Sequence, residues 1–135
     1  MSVEEQVQTK EKYYGEAIRY MDNAKKCLEN TMIENNRYSD QKYVKMACGT
    51  AYSGVLVALD CFLILRGIHK PTGKERKSIE YYQKNLATLD RKMMDCLNDA
   101  YQILHIYGYY DGVQNVNIVK EGFKLANNII SKIKP

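Results

Sequence analysis

The stretch IEYYQKNLATLDRKMMDCLNDAYQILHIY, Ile79 to Tyr107, decides the fold class. Its apolar residues Ile79, Tyr82, Leu86, Leu89, Met93, Cys96, Ala100, Ile103 and Tyr107 recur at alternating steps of three and four. That period lays them along one face of a helix, whereas a half-buried strand would alternate every second residue. Sustained over this length, near-heptad spacing predicts one long helix packed almost parallel to its neighbours. Ser78 can cap its start. Gly108, free to adopt the left-handed conformation, and Asp111-Gly112 predict its end.

The same period holds on either side. Tyr13, Ala17, Tyr20, Ala24, Cys27 and Thr31 form a first stripe, which stops at the polar turn Glu34-Asn35-Asn36-Arg37. Val44, Ala47, Cys48, Ala51, Val55, Ala58, Leu59 and Phe62 form a second, with Ser39 or Asp40 as its cap and Gly67 and Pro71 as its stop. Phe62 is expected among the most buried residues. Val119, Phe123, Ala126, Ile130 and Ile133 form the last stripe, opened by Asn115 or Asn117. No strand-like alternation is visible. The fold class read here is all-α, an up-down antiparallel four-helix bundle in one domain spanning residues 1–135, with polar residues 1–10 disordered. A dimer of long helical hairpins satisfies the same spacing.

Composition agrees. One hundred and thirty-five residues, 45% hydrophobic and 27% charged, suit a single globular domain. Met46 to Leu65 carries one charge, Asp60, and is long enough to span a bilayer. Its Gly, Ser, Thr and Tyr content, beside segments that need covering, favours a central helix buried nearly all round. Asp60 then needs a partner, from Arg19, Lys26 or a tyrosine hydroxyl. Cys27, Cys48, Cys61 and Cys96 form no Cys-x-x-Cys pair and lie at helical apolar positions, which predicts reduced core residues and no metal site. The polar N-terminus lacks an apolar run, so no secretory signal, a cytoplasmic location and no membrane association are expected.

Two local features stand out. Residues 66–92 carry a net charge of +5 against +4 for the whole chain, and Lys70, Lys74, Arg76 and Lys77 form a candidate basic patch for nucleic acid or an acidic partner. His105-Ile-Tyr-Gly-Tyr-Tyr-Asp-Gly112 crowds three of the twelve tyrosines beside one of two histidines. His105, Tyr107, Tyr109, Tyr110 and Asp111 are therefore the candidate binding residues, since tyrosine offers a stacking face and a polar tip. In an up-down bundle the basic loop and this tyrosine turn fall at opposite ends. The chain holds no GxxxxGK[ST], GxGxxG, HExxH or GxSxG motif, and no Glu-x-x-His pair, so no catalytic residue, metal or cofactor is assigned.

The second helix, Ala47 to Gly67, with small residues and a Tyr followed by a Leu-rich run and a terminal Gly, resembles the second helix of HEPN domains. Tyr13-x-x-x-Ala17 and Asn23-Ala24-x-x-x-Leu28 in the first helix look similar too, and the helix order resembles that of small bacterial HEPN-like proteins. HEPN ribonucleases carry an Arg ahead of a His-x-Tyr. Here His105-Ile-Tyr107 resembles the His-x-Tyr, but the arginine positions hold Asn98, Asp99 and Ala100. The resemblance therefore implies a non-catalytic, homodimeric module that binds a nucleotide, RNA or a nucleotidyltransferase-type protein. The alternative it implies is an atypical ribonuclease using His105 and Tyr107.

Overall fold

The computed structural model describes residues 1–68 and 78–135. The candidate basic residues Lys70, Lys74, Arg76 and Lys77 lie outside the described residues. Within them the protein is mostly helical, with one minimal hairpin.

Helix α1 spans Val3–Leu28. Ser2 caps it through a hydroxyl that accepts from the Glu5 N–H at 3.1 Å. Glu4 and Glu5 at its start and Lys25 and Lys26 at its end oppose the helix dipole. These local signals order residues 3–10, which were expected to be disordered. The polar turn that follows is a true β-hairpin: Ile33–Glu34 (β1) pairs antiparallel with Arg37–Tyr38 (β2). Asn35 and Asn36 both hold positive φ, 52° and 60°, as a two-residue type I′ loop requires. Strands of two residues are too short to show alternation, which is why the sequence reading found none. The hairpin is stitched to a distant segment. Tyr38 N–H donates to the Gln114 carbonyl (2.8 Å), Gln114 Nε2 to the Tyr38 carbonyl (2.9 Å), and Val116 N–H to the Asn36 carbonyl (3.0 Å).

Helix α2, Gln41–Leu65, is the hub. Asp40 caps it by accepting from Lys42 N–H at 2.9 Å. At the other end Gly67 takes φ +82°, Ile68 N–H donates to Leu63 and Gly67 N–H to Ile64. That pair of bonds is the Schellman stop anticipated from Gly67. α1, residues 101–110 and the last helix all pack on α2, which buries thirteen of its residues, as a core helix does. Three neighbours in the same chain cover it.

The largest departure lies in the deciding stretch. It is not one helix. α3 (Ile79–Leu89) and α4 (Arg91–Ala100) meet at Asp90, whose extended backbone (φ −161°, ψ 96°) breaks the helix. Asp90 N–H ends α3 on the Leu86 carbonyl (2.8 Å), and its carboxylate caps α4 by accepting from Met93 N–H (3.0 Å). The chain doubles back there, and Gln83 of α3 donates to Asn98 of α4 at 2.7 Å. The stripe also shifts. Beyond the break Met93, Leu97, Ala100, Leu104 and Gly108 are buried, while Cys96 and Ile103 are only half-buried and Tyr107 is exposed.

Residues 101–110 continue α4 as a π-helical segment. Helix α5, Val116–Ser131, is capped by Asn115, whose side chain accepts from Ile118 N–H at 3.0 Å. Its buried face includes Val119, Phe123, Ala126 and Ile130 of the expected stripe. Asp60 is buried and accepts from the Tyr82 hydroxyl at 2.9 Å, so the tyrosine is a partner; Arg19 pairs with Glu16 instead. Burial first, and Asp60 second, push the Tyr82 hydroxyl pKa upward. Phe62 is buried at 6% exposure, with the Arg66 guanidinium 3.7 Å above its ring.

Candidate functional site

The π-helical segment decides the site. Its bonds run from each N–H to the carbonyl five residues back, as from Asp111 to Ile106 at 3.0 Å. The helix therefore does not end at Gly108, as expected. Gly108 is buried, and a Cβ there would collide with Cβ and Sγ of Cys48 on α2, so this glycine serves close helix approach. The left-handed residue is Gly112, at φ +64°.

Wider winding changes which side chains meet. In an α-helix a residue five positions on lies about 140° round the axis. At the roughly 4.4 residues per turn of i→i+5 bonding it returns to within about 50°, so residues i+4 and i+5 both flank residue i. His105 is so flanked. The Tyr109 ring stacks on it (5.6 Å between centroids, 10°) and Tyr110 meets it edge-on (5.0 Å, 81°). One turn earlier Tyr101 stacks from the other side at 5.1 Å. Tyr52, rising from α2, closes the cluster 5.0 Å from His105 and 6.0 Å from Tyr101. Gly49 gives Tyr109 its seat, since a Cβ there would stand 2.8 Å from Cδ1 of the ring.

These five rings line an open groove of about 830 Å³. Lys45 stands on its wall and lies across Gly112, while Ser78 and Glu80 come from the start of α3. Their presence follows from the reversal at Asp90, which brings the start of α3 alongside residues 101–110. Ser78 lines the same groove as the tyrosines, while the basic loop at residues 70–77, expected at the opposite end from them, lies outside the described residues. Of the five candidate residues, His105, Tyr109 and Tyr110 line the groove, and Tyr107 and Asp111 do not. Tyr52 and Tyr101 were missed. The spacing Tyr101-x3-His105-x3-Tyr109 was the signal that could have found one of them.

Burial holds the His105 pKa below its ordinary value, so the ring is neutral and stacks as an arene at neutral pH. The Tyr52 hydroxyl is pushed up by burial, then by Tyr101 and Glu80, and stays protonated.

The family described as a domain of unknown function, DUF5618, matches residues 12–135. The chain belongs to that family. A solved structure similar to this DUF5618 chain is a protein of unknown function from Dyadobacter fermentans, 38% identical, with a TM-score of 0.78 over 92% of this chain and 94% of that one. No curated protein matches the chain.

All four cysteines are free, Cys48 and Cys61 buried, Cys27 and Cys96 half-buried. Burial raises the Cys48 thiol to about 12 and the Cys61 thiol to about 11, too high to give a thiolate at neutral pH. Among the described residues no group of three or more His, Cys, Asp or Glu is placed to hold a metal ion.

Proposed function

We propose that this domain is a non-catalytic binding module, HEPN-like in its bundle, whose aromatic groove takes an unpaired base of a nucleotide or an RNA strand. The observation that supports the reading is the cluster of Tyr52, Tyr101, His105, Tyr109 and Tyr110 in one groove. Tyr109 and Tyr110 are 47% and 61% exposed, so they offer ring faces to a ligand while their other contacts hold them in place. A base stacked on such a face gains about 1–3 kcal/mol whatever its sequence. Lys45 on the groove wall supplies a cation for the accompanying phosphate. His105, neutral and held between Tyr101 and Tyr109, is a stacking element in this reading rather than an acid or base.

Calorimetric titration of the protein with mononucleotides and short single-stranded RNA tests it. Binding should weaken about 5- to 150-fold in Tyr109→Ala, the equivalent of that stacking energy. Cleavage of labelled RNA that is lost in His105→Ala would instead favour the atypical ribonuclease. No binding to any nucleotide, with capture of a nucleotidyltransferase-type protein through the same groove, would make the ligand a protein. The module is proposed to work in the bacterial cytoplasm as a homodimer, with the exposed Val3, Val7 and Ile118 available for a second copy. Light scattering at micromolar concentration that returned the 15.7 kDa of one chain would refute the dimer.

A further inference from the structure

The groove has two unlike ends. Lys45 and Tyr52 both line it and are seven residues apart on α2, about 10 Å along the axis. Glu80, in the first turn of α3, lines it as well, and its charge adds to the upward push on the Tyr52 hydroxyl. Cation, aromatic rings and carboxylate thus follow one another along the groove. A mononucleotide has the matching order of phosphate, base face and base edge. We infer that the groove selects guanine nucleotides, with Lys45 on the phosphate, Tyr109 against the base face and Glu80 on the Watson–Crick edge. The inference rests on the base-binding reading above and adds the identity of the base.

The edge chemistry makes the choice. An ionised carboxylate only accepts hydrogen bonds, through two oxygens set side by side. Guanine offers two adjacent donors on its Watson–Crick edge, N1–H and the N2 amino group, and can satisfy both oxygens. Adenine sets its N6 amino group beside the N1 lone pair, and cytosine its N4 amino group beside the N3 lone pair. Uracil has one N–H between two carbonyls. Each of these three turns at least one acceptor toward the carboxylate.

Titration of the full chain with the 5′-monophosphates of guanosine, inosine, adenosine, cytidine and uridine tests this. Guanosine monophosphate should bind tightest. Inosine monophosphate, which lacks only the N2 amino group, should bind roughly ten-fold more weakly, within the range of a lost bidentate contact. Glu80→Gln, an isosteric change at an exposed site, should erase the difference between the two. Lys45→Ala should weaken all five monophosphates and leave guanosine itself unchanged. Equal affinities for all bases that still depend on Tyr109 would overturn the guanine assignment and leave the stacking reading standing. A guanine preference that survives Glu80→Gln would overturn the role of Glu80. No binding of any of the five, nor of short single-stranded RNA, would overturn both readings together.

Discussion

Gly108→Ala tests whether the π-helical segment is wedged against α2 as described. The added Cβ would collide with Cβ and Sγ of Cys48, far inside the roughly 3.5–4.0 Å of an ordinary carbon contact. Rotation of the Cys48 side chain gives no relief, because one colliding atom is its Cβ, fixed by the α2 backbone. The two helices must separate, and the packing between them loosens along its length. Overpacking of a well-filled core costs about 1–3 kcal/mol. Replacing a helical glycine by alanine returns about 0.5–1 kcal/mol. The net expectation is a loss of about 1 kcal/mol, or roughly 3–5 °C in Tm for a domain of this size. Urea and thermal denaturation followed by circular dichroism measure it. Cys48→Gly/Gly108→Ala moves the missing Cβ to the other helix, so the double mutant should be more stable than the sum of the single effects by about 1 kcal/mol or more. A Gly108→Ala protein as stable as the parent, or more stable, would show that the helices do not touch here and would undo the account of why the tyrosines lie where they do.

Three further outcomes follow from the same geometry. Gly49→Ala should leave stability within about 1 kcal/mol of the parent, because the half-exposed Tyr109 ring can swing away from the new methyl, yet it should weaken nucleotide binding by removing that ring's seat; unchanged affinity would show that Tyr109 is not a stacking surface. Tyr82→Phe strips the buried Asp60 carboxylate of a 2.9 Å hydrogen bond and should cost about 1.5–3 kcal/mol in denaturant unfolding, while a change below about 0.5 kcal/mol would make that bond incidental. Because burial lowers the folded-state pKa of His105, the unfolded chain takes up that proton first as pH falls below the ordinary 6.5, and this residue's share of stability is lost from there downward. His105→Phe should therefore flatten the decline in Tm on the acid side of pH 6.5, and an unaltered slope would place the imidazole in water.

Much of the architecture could be read from residue spacing, because α1, α2 and α5 each carry an apolar stripe at helical period and most helix starts carry a recognisable cap. Asp40, Ser78, Asn115 and Gly67 sit where those caps were expected. The break at Asp90 was hidden by coincidence. Leu89 and Met93 keep helical spacing across it, so periodicity alone reads through the reversal, although Leu89 is 39% exposed and the buried register restarts at Met93. Asp90 followed by Arg91 was the available sign, an N-cap residue placed inside an apparent stripe. Half of the site was legible for a related reason. His105, Tyr109 and Tyr110 are neighbours in sequence, but Tyr52 joins them only through packing of α2 on residues 101–110. Tyr107 was chosen for the crowding of tyrosines beside His105 and for the His105-Ile-Tyr107 pattern, and it lies outside the groove.

The stitching of the Asn35-Asn36 hairpin to Gln114 bears on the order in which the domain assembles. α1 with α2, and α3 with α4, are each hairpins of near neighbours, and both can form early at little loop-closure cost. The bonds from Tyr38 and Arg37 to Gln114 join residues 76 and 77 apart, and none of them strengthens either hairpin alone. They can close only after the two halves have docked and α5 has been laid against α2. They act as a latch on the finished assembly, so α5 cannot leave α2 from its N-terminal end until the latch has opened.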